Sequence, residues 1–483
     1  MLASPSSVRS LLVAALSVVL AVVFLAVYLS DLAAVPFHPD ESGYLYMSRD
    51  FSILFLDRNP LALAWSPGQP QTLETQKRLL DAPLTRYAAG LGWWLRGYST
   101  ADLNADWVWG APWEANLSAI PSPALLLAAR TPLAGLGALS AVLLFWIGIE
   151  IGGVTLGLPA AMLLALDPLL LLHARRAMAE SLLTFFSLLA VWGALRLVHA
   201  ADASHRPGWR LLAGAAAVGV LLGLAMSAKQ TELALLPAVM LIMALALVQG
   251  ARAASPQKEV SRRHPDAIAL GLAAASLVAF VIVAASGLAF WLLNPVLLTD
   301  PWAVAQQMIA ARVELAGSQI AVNGAANPGL VLANPAARIV AAAGQLYWQM
   351  PSFWDVPVYL DQLQPSAQRY LAVAWHTILR ETPISILLIA FSVLGVALSA
   401  ARLARLGLGA ATRAEQLLWL WTLFTLALLA LSIPLNWQRY FMPLLPASRL
   451  FAAIGLVAAL QFVVLHWKLL AAIPRAWGST NRV

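Results

Sequence analysis

The chain contains no cysteine and little charge: Asp, Glu, Lys and Arg together make up 11% of its 483 residues. The first absence excludes disulfide frameworks, thiolate nucleophiles and cysteine-held metals. The second excludes an ordinary soluble domain, which carries about 25% charged residues. Also missing is any RNP-like, zinc-finger or basic-helix pattern, so the net charge of +7 does not point to nucleic acid. What is present is apolar: 61% of residues are hydrophobic and the mean hydropathy is +0.76.

A helix needs about 20 apolar residues to cross a bilayer. Runs of that order recur near 10–30, 124–149, 154–172, 178–199, 210–227, 230–250, 266–294, 382–401, 416–434 and 440–466. They predict an all-α polytopic membrane protein with about 10–12 transmembrane helices. Leu79–Leu95 and Pro328–Met350, interrupted by polar residues or proline, are compatible with re-entrant, interfacial or crossing segments. Leu11–Leu29 follows Arg9, is long for a signal-peptide core and ends without a clean cleavage site, so it reads as a retained first helix.

Orientation follows from Lys and Arg. With both termini cytoplasmic, the inner segments hold Arg9, Arg206, Arg210, Arg252, Lys258, Arg262, Arg263, Arg402, Arg405, Arg413, Lys468, Arg475 and Arg482. The opposite side, the outside of a plasma (inner) membrane, then receives two long loops, 31–123 and 295–381. The first carries Trp65, Trp93, Trp94, Trp107, Trp109 and Trp113, which suits amphipathic helices lying at headgroup level. The expected division is a transmembrane module over 1–294 that includes loop 31–123, a second outer loop over 295–381 with interfacial helices, and C-terminal membrane helices over 382–483. Gln257–His264 reads as a basic cytoplasmic linker. Asn116-Leu117-Ser118 fits the N-glycosylation pattern only as a weak match.

Just past the first apolar run comes Phe37-His38-Pro39-Asp40-Glu41-Ser42-Gly43-Tyr44-Leu45-Tyr46. Adjacent carboxylates at this depth either cap a juxtamembrane helix or mark a site. Other outer turns carry His173, Arg175, Arg176 and Glu180, then Lys229, Gln230 and Glu232, then Asn436 to Tyr440, with Asp81 to Tyr87 at the mouth of an ambiguous helix. Arg175, Arg176, Lys229 and Arg439 oppose the orientation bias. Such cations either snorkel to the interface or assemble an anion site, phosphate above all. Glu180 is either an N-terminal helix charge or a partner for Arg175 or Arg176. An Asp beside such a site suits proton removal from an incoming hydroxyl, and displacement by that route needs no metal. Nothing in the spacing makes His38 and His173 a metal pair with Asp40 or Glu41.

These residues, taken in order, resemble the motifs of GT-C membrane glycosyltransferases. Asp40-Glu41-x-Gly43-Tyr44 is similar to the acidic motif of the protein O-mannosyltransferase and lipid A aminoarabinose transferase group (glycosyltransferase family 39 and its bacterial relatives). Asp81-Ala82-Pro83-Leu84-Thr85-Arg86-Tyr87 resembles that group's Pro-Pro-Leu segment, although Asp81 and Ala82 stand where many relatives have His-Pro or Pro-Pro. Arg130-x-Pro132, Arg176-x-Met178-x-Glu180 before Phe185-Phe186, Gly223 to Lys229, and Arg439-Tyr440-x-x-Pro443-x-x-Pro446 continue the series.

The resemblance implies a GT-C fold, a polyprenyl-phosphate-linked sugar as donor and an inverting transfer to an acceptor at the outer face. It implies Asp40 as catalytic base, with Glu41 orienting hydroxyls. Arg175, Arg176, Lys229, Arg439 and Arg86 become the donor-phosphate cations, with Tyr44, Asp81, Glu180 and Tyr440 in support. Membrane lipids are further partners, and the acceptor, whether protein, lipid or glycan, is left open. The chain has no large outer C-terminal domain, so the two long loops would recognise that acceptor. The competing expectation is a transporter or flippase of lipid-linked substrate, built on Asp167-Pro168 and Glu150.

Overall fold

The computed structural model describes residues 5–203, 208–253, 264–353 and 359–477. Arg206, Lys258, Arg262, Arg263 and Arg482, and nearly all of the basic linker, lie outside them. Among the described residues every regular element is helical: α1 Pro5–Leu29, α2 Pro39–Met47, α3 Arg49–Phe51, α4 Leu73–Leu80, α5 Leu84–Leu95, α6 Pro123–Gly152, α7 Val154–Ala165, α8 Pro168–His173 and α9 Glu180–Ala203. The series continues with α10 Trp209–Ala228, α11 Leu235–Ala253, α12 His264–Leu293, α13 Pro301–Ala326, α14 Pro335–Tyr347, α15 Leu360–Leu371, α16 Thr382–Leu406, α17 Arg413–Ser432 and α18 Leu445–Trp477.

Nine helical stretches among the described residues are long and apolar enough to cross a membrane. They match nine of the ten expected spans. The tenth, 154–172, is not one helix. It stops at Ala165, and a new helix begins where Asp167 accepts a hydrogen bond from the Leu169 N–H (2.9 Å), with Pro168 in the first position. A residue before proline is pushed out of the helical region, so Asp-Pro is a break that its flanking leucines conceal. At 12 residues α7 reaches only about 18 Å. It nevertheless returns the chain to the level of α1's end, where Tyr28 donates to the Ala165 carbonyl (3.2 Å). The two ambiguous stretches resolve into α5 and α14, of 12 and 13 residues, each too short to cross alone.

Two polar ends bracket this bundle. At one, Arg413 at the start of α17 grips Asp202 of α9 (2.9 Å) and Gln249 of α11 (3.0 Å), and Glu150 of α6 meets Arg196 (3.2 Å). At the other, both long loops converge and touch. Tyr359 donates to the Ala111 carbonyl (3.0 Å) and Thr299 to the Trp65 carbonyl (2.6 Å). We call this the site end. Between the ends, helices approach closely where side chains are absent: a Cβ on Gly395 of α16 would lie 1.9 Å from the Phe451 carbonyl oxygen, and one on Gly455 of α18 would lie 1.9 Å from that of Phe391. Small residues permit such crossings where lipid supplies no hydrophobic drive.

Candidate active site

The site begins with the way α2 starts. His38 precedes Pro39 and accepts the Asp40 N–H through Nδ1 (3.1 Å), while the Glu41 carboxylate reaches back to the His38 N–H (3.0 Å). This reciprocal cap satisfies donors that a helix start leaves open. Glu41 is also fully buried and takes a two-pronged bond from Arg130 of α6, Nε to Oε1 and Nη2 to Oε2, both 2.7 Å. The Ala177 N–H donates to Oε1 as well (2.7 Å), and Arg130 uses Nη1 on the carbonyls of Leu32 (3.2 Å) and Val35 (2.8 Å). Burial pushes the Glu41 carboxyl up, but Arg130, with Arg176 and the Ala177 N–H, together outweigh it and the group sits below its ordinary value.

Glu41 thus has no oxygen left for a substrate. Its expected place among the hydroxyl-orienting groups gives way to a positioning role, with Arg130 as the partner that the sequence did not assign. The pair pins the start of α2 to α6 and to the turn before α9. Asp40, one residue earlier, is thereby turned elsewhere.

Asp40 meets Arg439, whose Nη1 donates to its Oδ2. Arg439 lies in the 3-10 turn Gln438–Leu444 that leads into α18, 399 positions along the chain, with its guanidinium 5.5 Å from the Trp437 ring. Lys229, at the end of α10, donates to Glu180 Oε1 at the start of α9 (3.1 Å) and stands 5.7 Å from the Tyr440 ring. Tyr44 sits among Asp81, Glu180, Asp40 and Arg439. Its phenol is held well above the ordinary value by burial first and then by those three carboxylates, against the pull of Arg439. Asp40, Tyr44, Asp81, Glu180, Lys229, Arg439 and Tyr440 therefore converge. The side chains of Asp40, Lys229 and Arg439 remain 21%, 19% and 16% exposed, so the cluster is open to a ligand.

The remaining cations do not join it. Arg175 is buried, donates to the Ser30 carbonyl and lies 3.2 Å from His376 Nε2. Arg176, equally buried, donates to the carbonyls of Pro36 and Phe353, both at 3.1 Å. Together they tie loops 31–123 and 295–381 to the turn before α9. Arg86 is buried against Asp50 (3.2 Å), which also receives Arg78 at 2.7 Å, and so joins α5 to α3 and α4. The expectation that these three arginines hold a phosphate is corrected accordingly: each is buried in the protein's own polar network.

Two further expectations meet the geometry here. Asp167 is buried between Arg449 (2.5 Å) and Arg380 (3.4 Å), and Glu150 lies at the opposite end, so neither opens toward a transport path. Among the described residues, no group of three or more His, Asp and Glu side chains is placed to hold a metal ion.

Residues 80–294 match a family model described as dolichyl-phosphate-mannose-protein mannosyltransferase. The resemblance read from the motifs is borne out. No curated protein matches the chain. Among solved structures, it is similar to the oligosaccharyltransferase of Archaeoglobus fulgidus in complex with Zn and sulfate, at 15% identity and a TM-score of 0.50. That likeness covers 96% of this chain and 51% of the other, so the chain spans about half the length of that protein. The S. cerevisiae protein O-mannosyltransferase Pmt1-Pmt2 complex, bound to its sugar donor, matches at 16% identity and a TM-score of 0.36, over 58% of this chain and 34% of the other. The fold is of the GT-C type, all-α and polytopic.

Proposed function

We propose that this membrane protein is an inverting glycosyltransferase that moves a sugar from a polyprenyl-phosphate donor to a hydroxyl-bearing acceptor. The single observation that carries the reading is the partly exposed Asp40 carboxylate set against Arg439, with Lys229 beside them on Glu180 and near Tyr440. The match to a dolichyl-phosphate-mannose-dependent family supports the donor class.

Asp40 takes the proton of the acceptor hydroxyl, and the oxygen attacks the anomeric carbon on the face opposite the phosphate. The bond from that carbon to the phosphate oxygen breaks, and the lipid phosphate leaves against Arg439 and Lys229. Arg supplies a planar fork and Lys a compact charge, and both lower the cost of the anion that develops. Glu41 and Arg130 act at one remove, by holding α2 where Asp40 can reach the acceptor. Exposed Arg210, Arg252, Arg402 and Arg405 at the opposite end support an orientation with the site end outside.

The test is an Asp40→Asn variant assayed with a polyprenyl-phosphate sugar, where turnover falls by about 10²–10⁴-fold. Full turnover would exclude Asp40 as base. An Arg439→Ala variant weakens donor binding, and unchanged donor affinity would place the phosphate elsewhere.

A further inference from the structure

A recess lined by none of the Asp40 cluster enters no step of the proposed sugar transfer. It encloses about 620 Å³ between the turn that follows α2 and the end of α5, and its lining includes Arg49, Ser52, Asp57, Trp94, Tyr98 and Thr100. Its depth is set by α5. Gly92 packs so closely on α6 that a Cβ would lie 2.3 Å from the Ala128 carbonyl oxygen. Ala128 is only about 8 Å along α6 from its first residue, Pro123, at the site end. The recess is therefore level with the interface, where Trp and Tyr collect. Exposed Leu56, Trp94 and Leu95 continue its wall outward as apolar surface.

The polar groups are of two kinds. Arg49 is held by its Nε bond to the Tyr46 carbonyl (2.9 Å) and by stacking 4.0 Å from the Tyr46 ring. Among the described residues neither of its Nη groups makes a hydrogen bond, although its charge acts on Glu74, which accepts from the Tyr46 hydroxyl, and the Asp57 carboxylate has no hydrogen-bond or ion-pair partner. A clamped guanidinium with free ends suits a phosphate. A carboxylate beside Trp94 and Tyr98 suits an ammonium, which aromatic faces also attract. One cation and one anion line the space, so the complementary ligand carries both charges.

We infer that this recess binds the headgroup of a zwitterionic aminophospholipid, its phosphate on Arg49 and its ammonium toward Asp57, with the acyl chains leaving past Leu56 and Leu95. The inference does not depend on the glycosyltransferase reading.

Native mass spectrometry of the full chain in detergent tests it with dihexanoyl-phosphatidylethanolamine, dihexanoyl-phosphatidylglycerol and free phosphoethanolamine. The ethanolamine lipid binds most tightly and the free headgroup much more weakly. Arg49→Gln weakens both lipids by about tenfold or more, a charge-assisted bond being lost. Asp57→Asn removes only the preference for the ethanolamine lipid. Both positions are accessible, and an unfolding temperature equal to the parent's shows that each variant is folded. Equal occupancy in parent and both variants overturns the inference. So does free phosphoethanolamine binding as tightly as the lipid, or a neutral oligosaccharide displacing it, which would mark a sugar subsite.

Discussion

Replacing Glu41 by Gln separates positioning from chemistry, because Glu41 and Asp40 are neighbours in sequence and opposites in environment. The Glu41 carboxylate receives four N–H donors: Arg130 Nε and Nη2, the Ala177 amide and the His38 amide, at 2.7, 2.7, 2.7 and 3.0 Å. An amide in its place keeps one acceptor oxygen and turns an NH2 toward the other donors. If the oxygen stays on Arg130 Nε and Ala177, donor faces donor at Nη2 and His38. Both of those bonds to the carboxylate are lost, a charge-assisted bond being worth about 1.5–3 kcal/mol. Arg130 is left with its charge buried and unpaired, which brings the expected loss to about 3–5 kcal/mol. Differential scanning fluorimetry of the detergent-purified protein reads this as a clear fall in unfolding temperature. Asp40→Asn, at a partly exposed ion pair whose loss leaves Arg439 in reach of water, costs less than Glu41→Gln. A Glu41→Gln/Arg130→Met double variant recovers part of the loss, since removing both charges is less damaging than stranding one. A Glu41→Gln protein that unfolds with the parent yet has no turnover would refute the reasoning and return Glu41 to the substrate.

Two further outcomes test the packing and the loop contacts. Gly395→Leu forces α16 and α18 apart at their closest approach and destabilises the protein by about 1–3 kcal/mol, whereas Leu at the more open Gly287 has little effect; equal unfolding temperatures would contradict the crossing. His376 donates through Nδ1 to the Tyr370 carbonyl (2.8 Å) and accepts from Arg175 at Nε2, so the fold holds it neutral, and burial first, then Arg175, places its pKa below the ordinary 6.5. The unfolded chain then binds the extra proton below about pH 6.5, and stability falls as the pH drops through that point. His376→Gln flattens the fall between pH 7.5 and 5.5, and a slope unchanged from the parent would show that His376 is not its source.

The length and spacing of the apolar runs were decisive on their own, because the cost of placing a residue in hydrocarbon is local and additive along a helix. Nine spans and the sharing of one end by both long loops follow from that additivity, whereas the stretches that became α5 and α14 stayed open among re-entrant, interfacial and crossing segments until the structure showed helices of 12 and 13 residues. Asp40, Lys229 and Arg439 could be picked out because each stands beside a helix terminus where charge is otherwise costly. The break at Asp167-Pro168 was missed within the expected span 154–172: its signal, a cap followed by proline, lay among leucines with the hydropathy of an unbroken helix.

Tertiary structure alone decided which charges are open and which are sealed. Asp40 and Glu41 are adjacent, yet one stays partly exposed against Arg439 and the other is closed off by Arg130, 89 positions away. Arg175 and Arg176 differ from Arg439 not in type but in what covers them: carbonyls of Ser30, Pro36 and Phe353, delivered by loops that fold back from up to 177 positions distant. Burial of a charge is a property of everything packed around it, and no local pattern of residues encodes the arrival of a remote carbonyl.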